Sequence, residues 1–329
     1  MRQAALALAI LVTLASCAGP GGGAAPTGSP ARESLTLAYA DDPSRVMLLW
    51  GITSGKVTSP FLDLKVSFLP VAQIIPAANT KQYDVIEATP LAIPRTLGAE
   101  PGFQIVSNGL VNVGGTRLVT GAASAIRTAA DLKGKTVGVP SLGGTFVLET
   151  RFVLAKKYGL DPTLPSGDVR FSETPPEAVP QLLRENKLDA AVLTQLGIYR
   201  VKDSADFRTL SDVIPEMRAI TGRLSVSSIL VTYRDRAQAK ARAIAELQRM
   251  LAASRDHLYA DRAQVVKAVA AEKKVEEAYL TWFFDHYQLA GGALSAEDRA
   301  QIAAAWEVAK ALGDIKDVPR IDEVLWKAP

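Results

Sequence analysis

Residues 131–145 read Asp131-Leu132-Lys133-Gly134-Lys135-Thr136-Val137-Gly138-Val139-Pro140-Ser141-Leu142-Gly143-Gly144-Thr145. Thr136 to Val139 is a short apolar run bounded by Gly134 and Pro140, which predicts a buried strand. The glycine- and hydroxyl-rich turn behind it opens directly into a helix. Val147, Leu148, Phe152, Leu154 and Ala155 form the apolar side of that helix. Gly159-Leu160-Asp161-Pro162 stops it. A strand that turns at once into a helix is the opening of a βαβ unit.

The alternation continues on both sides. Downstream, Val169 to Phe171 is a strand and Pro176 to Asn186 a helix with Val179, Leu182 and Leu183 inward. Lys187-Leu188-Asp189 then leads into a buried strand, Ala190 to Leu193. Upstream, strands are expected at Leu35–Tyr39, Leu62–Phe68 and Tyr83–Ile86. Helices follow them from Pro43 or Ser44, near Val71–Ala78, and up to Gly98. Phe103–Val113 and Thr116–Thr120 read as strands leading toward a second lobe, and Ser227–Tyr233 as the return crossing. Beyond Tyr233 the pattern is nearly all helical. Ile244, Leu247, Leu251 and Leu258 recur at helical spacing, and Ser295-Ala296-Glu297-Asp298 predicts a capping box. Two βα runs imply two α/β lobes, each a mainly parallel sheet flanked by helices. The expected division is 35–120 with 230–329 as lobe 1, including the helical C-terminal segment, and 121–229 as lobe 2.

The amino-terminal residues carry a different signal. Arg2 precedes an apolar run from Ala4 to Ala15. That run is about a dozen residues, where a spanning helix needs roughly 20. Leu14-Ala15-Ser16-Cys17 resembles a bacterial lipobox, so residues 1–17 are expected to be a lipoprotein signal peptide, with Cys17 lipidated. Cys17 is the only cysteine in the chain, which leaves no disulfide and no thiol chemistry in the body. Residues 18–34 are rich in glycine, with Pro20, Pro26 and Pro30, and read as a flexible tether. The body is then expected outside the cytoplasmic membrane, held to its outer face by the lipid. The net charge is only +3 and the bases are scattered, which argues against a nucleic-acid partner.

Several of these elements carry a family resemblance. The segment from Asp131 to about Gln195 is similar to bacterial solute-binding proteins for nitrate, taurine, aliphatic sulfonates and the thiamine pyrimidine precursor. It carries Asp131-Leu132-Lys133-Gly134-Lys135, the glycine turn, Gly159-Leu160, and Glu185-Asn186-Lys187-Leu188-Asp189-Ala190-Ala191. With Tyr83-Asp84-Val85, the resemblance extends over most of residues 35 to 290. It implies a type II periplasmic-binding-protein-like fold, whose two lobes are joined by strand crossings and hold a small molecule between them. It further implies an ABC-importer permease as partner, a monomer, and no cofactor or metal.

In open parallel α/β sheets, ligands lie outside the carboxyl ends of strands. The candidate ligand contacts are therefore Asp42 at the first exit, Thr89 at the third, Ser141, Gly143, Gly144 and Thr145 in the glycine turn, and Thr194 and Gln195 after Leu193. The glycine turn offers free backbone N–H groups and a helix dipole, suited to an oxyanion or a polar ring edge, although a plain capped turn has the same residues. Asp42 can equally be a helix start. Asp41, Asp42 and Glu87, with Arg45 as the one nearby base, favour a neutral or amine-bearing ligand such as a pyrimidine over nitrate or sulfonate. His257 and His286 lie in the helical tail and read as structural or surface residues.

An enzyme on the same scaffold, such as a pyrimidine synthase or a dehydratase, is the alternative, as is a lipid-anchored sensor or adaptor. No G-x-S-x-G, H-E-x-x-H or phosphate-loop motif is present. A binding protein rather than an enzyme is expected.

Overall fold

A computed structural model describes residues 32–328. Cys17, the lipobox and most of the expected tether lie outside the described residues. The first α/β run gives β1 (Glu33–Ala40), α1 (Pro43–Thr53), β2 (Leu62–Leu69), α2 (Val71–Asn79), β3 (Val85–Ala88), α3 (Ala92–Arg95) and β4 (Phe103–Asn112). The second gives β5 (Thr116–Gly121), a 3₁₀ turn at Ala129–Leu132, β6 (Thr136–Val139), α4 (Thr145–Tyr158), β7 (Arg170–Glu173), α5 (Val179–Arg184), β8 (Ala190–Thr194), α6 (Gln195–Val201), β9 (Phe207–Asp212) and α7 (Val213–Thr221). The chain returns through β10 (Ser225–Tyr233). It ends in α8 (Arg234–Ala239), α9 (Ala241–Ala260), α10 (Arg262–Lys273), α11 (Glu277–His286), β11 (Tyr287–Leu289), α12 (Ala296–Ala311) and α13 (Ile321–Val324).

Two sheets result, in the orders β11-β4-β10-β3-β1-β2 and β7-β6-β8-β5-β9. In the first, β2, β1 and β3 are parallel neighbours, while β10 runs antiparallel to both β3 and β4. In the second, β7, β6 and β8 are parallel and β5 is antiparallel to β8 and β9. Each sheet is thus mainly parallel in direction, with β10 and the short edge strand β11 against the grain in the first sheet and β5 in the second. The crossings fall earlier than the sequence division placed them. Thr116–Gly121 pairs within the second sheet, and β10 joins the first sheet from Ser225 onward. β1 likewise begins at Glu33, two residues inside the stretch expected as tether.

Both lobes fasten a pair of parallel neighbours, β1 with β3 and β6 with β8, by the same device. The Thr36 amide donates to the Asp84 carboxylate at 2.9 Å, and the Asp84 amide donates back to the Thr36 carbonyl at 3.1 Å. The Thr136 amide donates to Asp189 at 2.8 Å, and the Asp189 amide to the Thr136 carbonyl at 3.2 Å. Each aspartate satisfies an amide at the amino end of a strand, before the ladder begins. This pins the parallel register and so fixes which residues emerge at the carboxyl ends.

One apolar cluster is continuous across both sheets, from Ile86, Ile105 and Val231 to Val137, Val139 and Phe152. Another packs α1 and α9 on the first sheet through Leu37, Leu49, Leu247 and Leu251. α12 opens with the expected capping box between Ser295 and Asp298. Its Trp306 is fully buried and donates from Nε1 to the Pro90 carbonyl at 2.9 Å, just past the end of β3. Trp306→Ala is expected to lower the unfolding free energy by about 3–5 kcal/mol, through the cavity and the orphaned carbonyl. Urea unfolding followed by circular dichroism checks this.

Candidate functional site

The glycine turn stands at the carboxyl end of β6, as the sequence predicts. Gly144 caps α4 with extended backbone and no side-chain cap. The Leu142 amide donates to Glu173 at 2.8 Å, and the Gly144 amide to the Ser141 carbonyl at 3.3 Å. The Val147 amide donates to the Gly144 carbonyl at 3.1 Å, closing the first turn of a helix whose dipole end faces the turn. Ser141 and Gly143 are exposed, Gly144 is half-buried and Thr145 is buried. Across from Gly143 and Gly144 stand Leu91 and Arg95 of the first lobe, and together with Arg151 and Asp314 they enclose a cavity of about 160 Å³. Arg95 makes no salt bridge among the described residues. Arg151 is 2 % exposed and is held in a two-pronged pair by Asp314, at 2.9 and 2.7 Å.

The first-lobe exits are differently occupied. Asp42 caps α1, accepting from the Ser44 amide at 2.9 Å. Arg45 donates from Nε and Nη2 to one oxygen of Glu87 at 2.9 and 2.7 Å, and its Nη1 lies 3.6 Å from Asp42. The other Glu87 oxygen accepts the Ala40 amide at 2.9 Å. Asp41 pairs with Lys273. Arg45 serves both Asp42 and Glu87, and Lys273 serves Asp41, so these three carboxylates are all engaged by cations, two of them by the same one. The glycine-turn cavity adds a base that sequence reasoning did not place, Arg95, which makes no salt bridge among the described residues. Thr89 is half-buried at the β3 exit, its carbonyl accepting the Ala92 amide at 3.0 Å. Tyr39 and Ser228 bury hydroxyls with no partner among the described residues. Both close on Gly109, whose added Cβ would meet Ser228 Oγ at 2.7 Å and the Tyr39 hydroxyl at 3.4 Å.

A second polar group gathers at the crossings. Asn112 Nδ2 donates to Thr116 Oγ1 at 2.9 Å, and Asn112 Oδ1 accepts from the amides of Gly114 and Gly115 at 3.2 and 2.7 Å. Thr116 donates on to Glu149 at 3.4 Å, and Ser225 donates to the other Glu149 oxygen. Glu149, on α4, thereby holds both crossing strands at once. Thr194 pairs with Thr116 across β5 and β8 and caps α6. Gln195 takes a left-handed φ of 40°, a strained conformation for a non-glycine residue and one found at functional sites. Tyr287 donates to the Gly115 carbonyl, and its ring lies where a Gly115 Cβ would stand.

The predicted residues thus fall into separate clusters. Gly143 and Gly144 face the first lobe across a cavity. Thr145, Thr194 and Gln195 border the crossing network, and Asp42 is committed to its helix. Arg95, Glu149 and Tyr287 are absent from the sequence-derived set. For Glu149 a signal existed: Thr145, Glu149 and Phe152 share one buried face of α4, and a carboxylate on an apolar face needs a partner. His286 stacks on Trp282 at 4.0 Å, and its carbonyl accepts the Val113 and Gly114 amides at 3.0 and 3.2 Å, a structural use. Among the described residues, no group of three or more His, Cys, Asp or Glu side chains could hold a metal ion.

No protein-family model matches the chain, and no curated protein matches it. Solved structures do. The periplasmic aliphatic sulphonate binding protein SsuA from Escherichia coli superposes with a TM-score of 0.69 at 15% identity, over 91% of this chain and 94% of that one. The alkanesulfonate-binding protein SsuA from Xanthomonas axonopodis pv. citri, bound to MOPS, gives 0.66 at 18% identity, over 91% and 100%. The desulfurization enzyme DszB gives 0.58 at 15% identity, over 91% and 97%. The chain has the fold of the periplasmic binding proteins, a scaffold that also carries an enzyme.

Burial pushes the Glu149 carboxyl up to about 7, against the stabilising hydroxyls of Ser225 and Thr116. The folded chain therefore holds this proton more tightly than the unfolded chain, whose carboxyl titrates near 4.5. That contribution to stability is complete below about pH 4.5 and is lost as pH rises toward about 7, a difference of roughly 3 kcal/mol. Glu149→Gln is expected to flatten this component, seen as a shrinking wild-type deficit in thermal midpoint when pH falls from 8 to 4.5.

Proposed function

We propose that this chain is a solute-binding lipoprotein of an ABC-type importer, anchored through Cys17, and not an enzyme. It captures a small organic oxyanion, a sulfonate being the leading class, between its two lobes and hands it to a membrane permease. The observation that carries this reading is the cavity between the two α/β units. The Gly143 backbone and the α4 dipole approach from one side, and from the other Arg95, which makes no salt bridge among the described residues. A helix amino terminus with an opposed guanidinium suits a group with several acceptor oxygens. The lipobox-like Leu14–Cys17 supports the anchor. Among the described residues, no helix is long and apolar enough to cross a membrane. The fold shared with two sulfonate-binding proteins supports the solute class.

Gly143 is the cleaner position for a test than Gly144. An added Cβ at 143 meets nothing within 4 Å, whereas at 144 it would strike the Phe146 ring at 2.3 Å. Isothermal titration with taurine, with MOPS and with an aminopyrimidine is expected to show saturable binding of a sulfonate. That affinity should fall at least tenfold, about 1.4 kcal/mol, in Gly143→Asp and in Arg95→Gln, with thermal midpoints unchanged. Binding of the aminopyrimidine alone, or an affinity indifferent to both substitutions, would overturn the assignment.

A further inference from the structure

A larger cavity, about 600 Å³, lies away from the glycine turn, at the β11 edge of the first sheet. None of the candidate residues of the interlobe cavity lines it. Its walls come from β4, the α9–α10 junction, α11, β11 and the start of α12. Tyr259 and Phe284 form an aromatic wall, edge to face at 5.9 Å. The Arg262 guanidinium lies over the Phe284 ring at 5.2 Å and has no carboxylate partner among the described residues. A stacked guanidinium keeps its in-plane donors free for an anion.

The lining also carries an acceptor. Asn108 is 2 % exposed, and its Nδ2 donates to Asp298 at 2.7 Å. That bond fixes the amide orientation, because the reverse would set a carbonyl oxygen against a carboxylate. Asn108 Oδ1 is left without a donor among the described residues. A buried acceptor without a donor is costly, and a ligand N–H can satisfy it. The cavity thus offers a cation, an aromatic face and an unpaired acceptor; Asp298 and Arg255 also line it, the first already engaged by Asn108, the second by Asp256 and the Gly291 carbonyl.

We propose that this cavity is a second ligand site, taking a small amino acid-like zwitterion with an apolar side chain. Its carboxylate would meet Arg262, its side chain the Tyr259–Phe284 wall, and its ammonium group Asn108 Oδ1. The site is independent of the interlobe capture proposed above.

Saturation-transfer NMR with L-phenylalanine, and with phenethylamine as the analogue lacking the carboxylate, tests it on the whole protein. Saturable L-phenylalanine binding is expected in the wild type and in Gly143→Asp. The affinity should fall tenfold or more in Arg262→Gln, an exposed position whose change leaves the fold intact, and phenethylamine should not compete. No saturable binding to the wild type would overturn the proposal. So would binding that survives Arg262→Gln, or binding that is lost in Gly143→Asp. The last outcome would place the amino acid in the interlobe cavity instead, leaving that reading standing.

Discussion

The chain passes between its two sheets at β4–β5 and again ahead of β10, and these crossings are held side by side by one carboxylate. Glu149 receives Thr116 from one crossing and Ser225 from the other, while Asn112 pairs with Ser225 and reaches Thr116. Neighbouring crossings oblige β5 and β10 to run against the parallel strands around them. They also bring α4 into contact with both crossings. From that constraint follows the placing of the glycine turn, which is simply the amino end of the helix that carries Glu149. Gly115 belongs to the same constraint, since any side chain there would occupy the space of the Tyr287 ring.

Charge is buried sparingly, and nearly always in pairs. Arg45 with Glu87 and Arg151 with Asp314 both bring oppositely charged groups out of water, with short bonds in return. Burial opposes the charge on Arg45, yet Glu87 and Asp42 hold its guanidinium above the ordinary value. Such pairs contribute little net stability, because desolvation offsets the attraction, but losing one partner is expensive. Their effect is to fix geometry. Arg45 is oriented at the ends of β1 and β3, and Arg151 ties α4 to the C-terminal segment. Glu149 is the exception, a buried carboxyl with hydroxyl partners only among the described residues, and burial makes it hold its proton more tightly than an ordinary carboxyl does.

The local signals in the sequence were legible because they arise from neighbours in the chain. The apolar run Thr136–Val139, the glycine stop at Gly159 and the Ser295–Asp298 box each state their structure within a few residues. The sequence pattern does not announce α6, β9, α7 or β11: Phe207–Asp212 mixes charge into its alternation and Tyr287–Leu289 is three residues long. The bases of the cleft are only partly legible for a different reason. Arg45 stands beside Asp42 in the chain, but Asp41 finds Lys273 across 232 residues, and no local pattern encodes such a partner. Arg95 was missed likewise, because only the fold sets it opposite Gly143.

The C-terminal segment ties the two lobes together a third time. α12 is anchored to the first lobe where Trp306 donates to Pro90, and shortly beyond its end Asp314 grips Arg151 of α4. Two crossings and this strap are thus three connections. Opening the glycine-turn cavity must either break the Arg151–Asp314 pair or carry residues 312–318 along with the second lobe. The second route is the cheaper, because breaking the pair would leave a guanidinium that is 2 % exposed without its counter-charge. The strap would then flex between Ala311 and Asp314, where Gly313 already has a φ of 75°. A ligand held by Arg95 and by the glycine-turn amides would touch both sides of that motion. It would favour the closed arrangement by the difference between its affinities for the two states, and by nothing else.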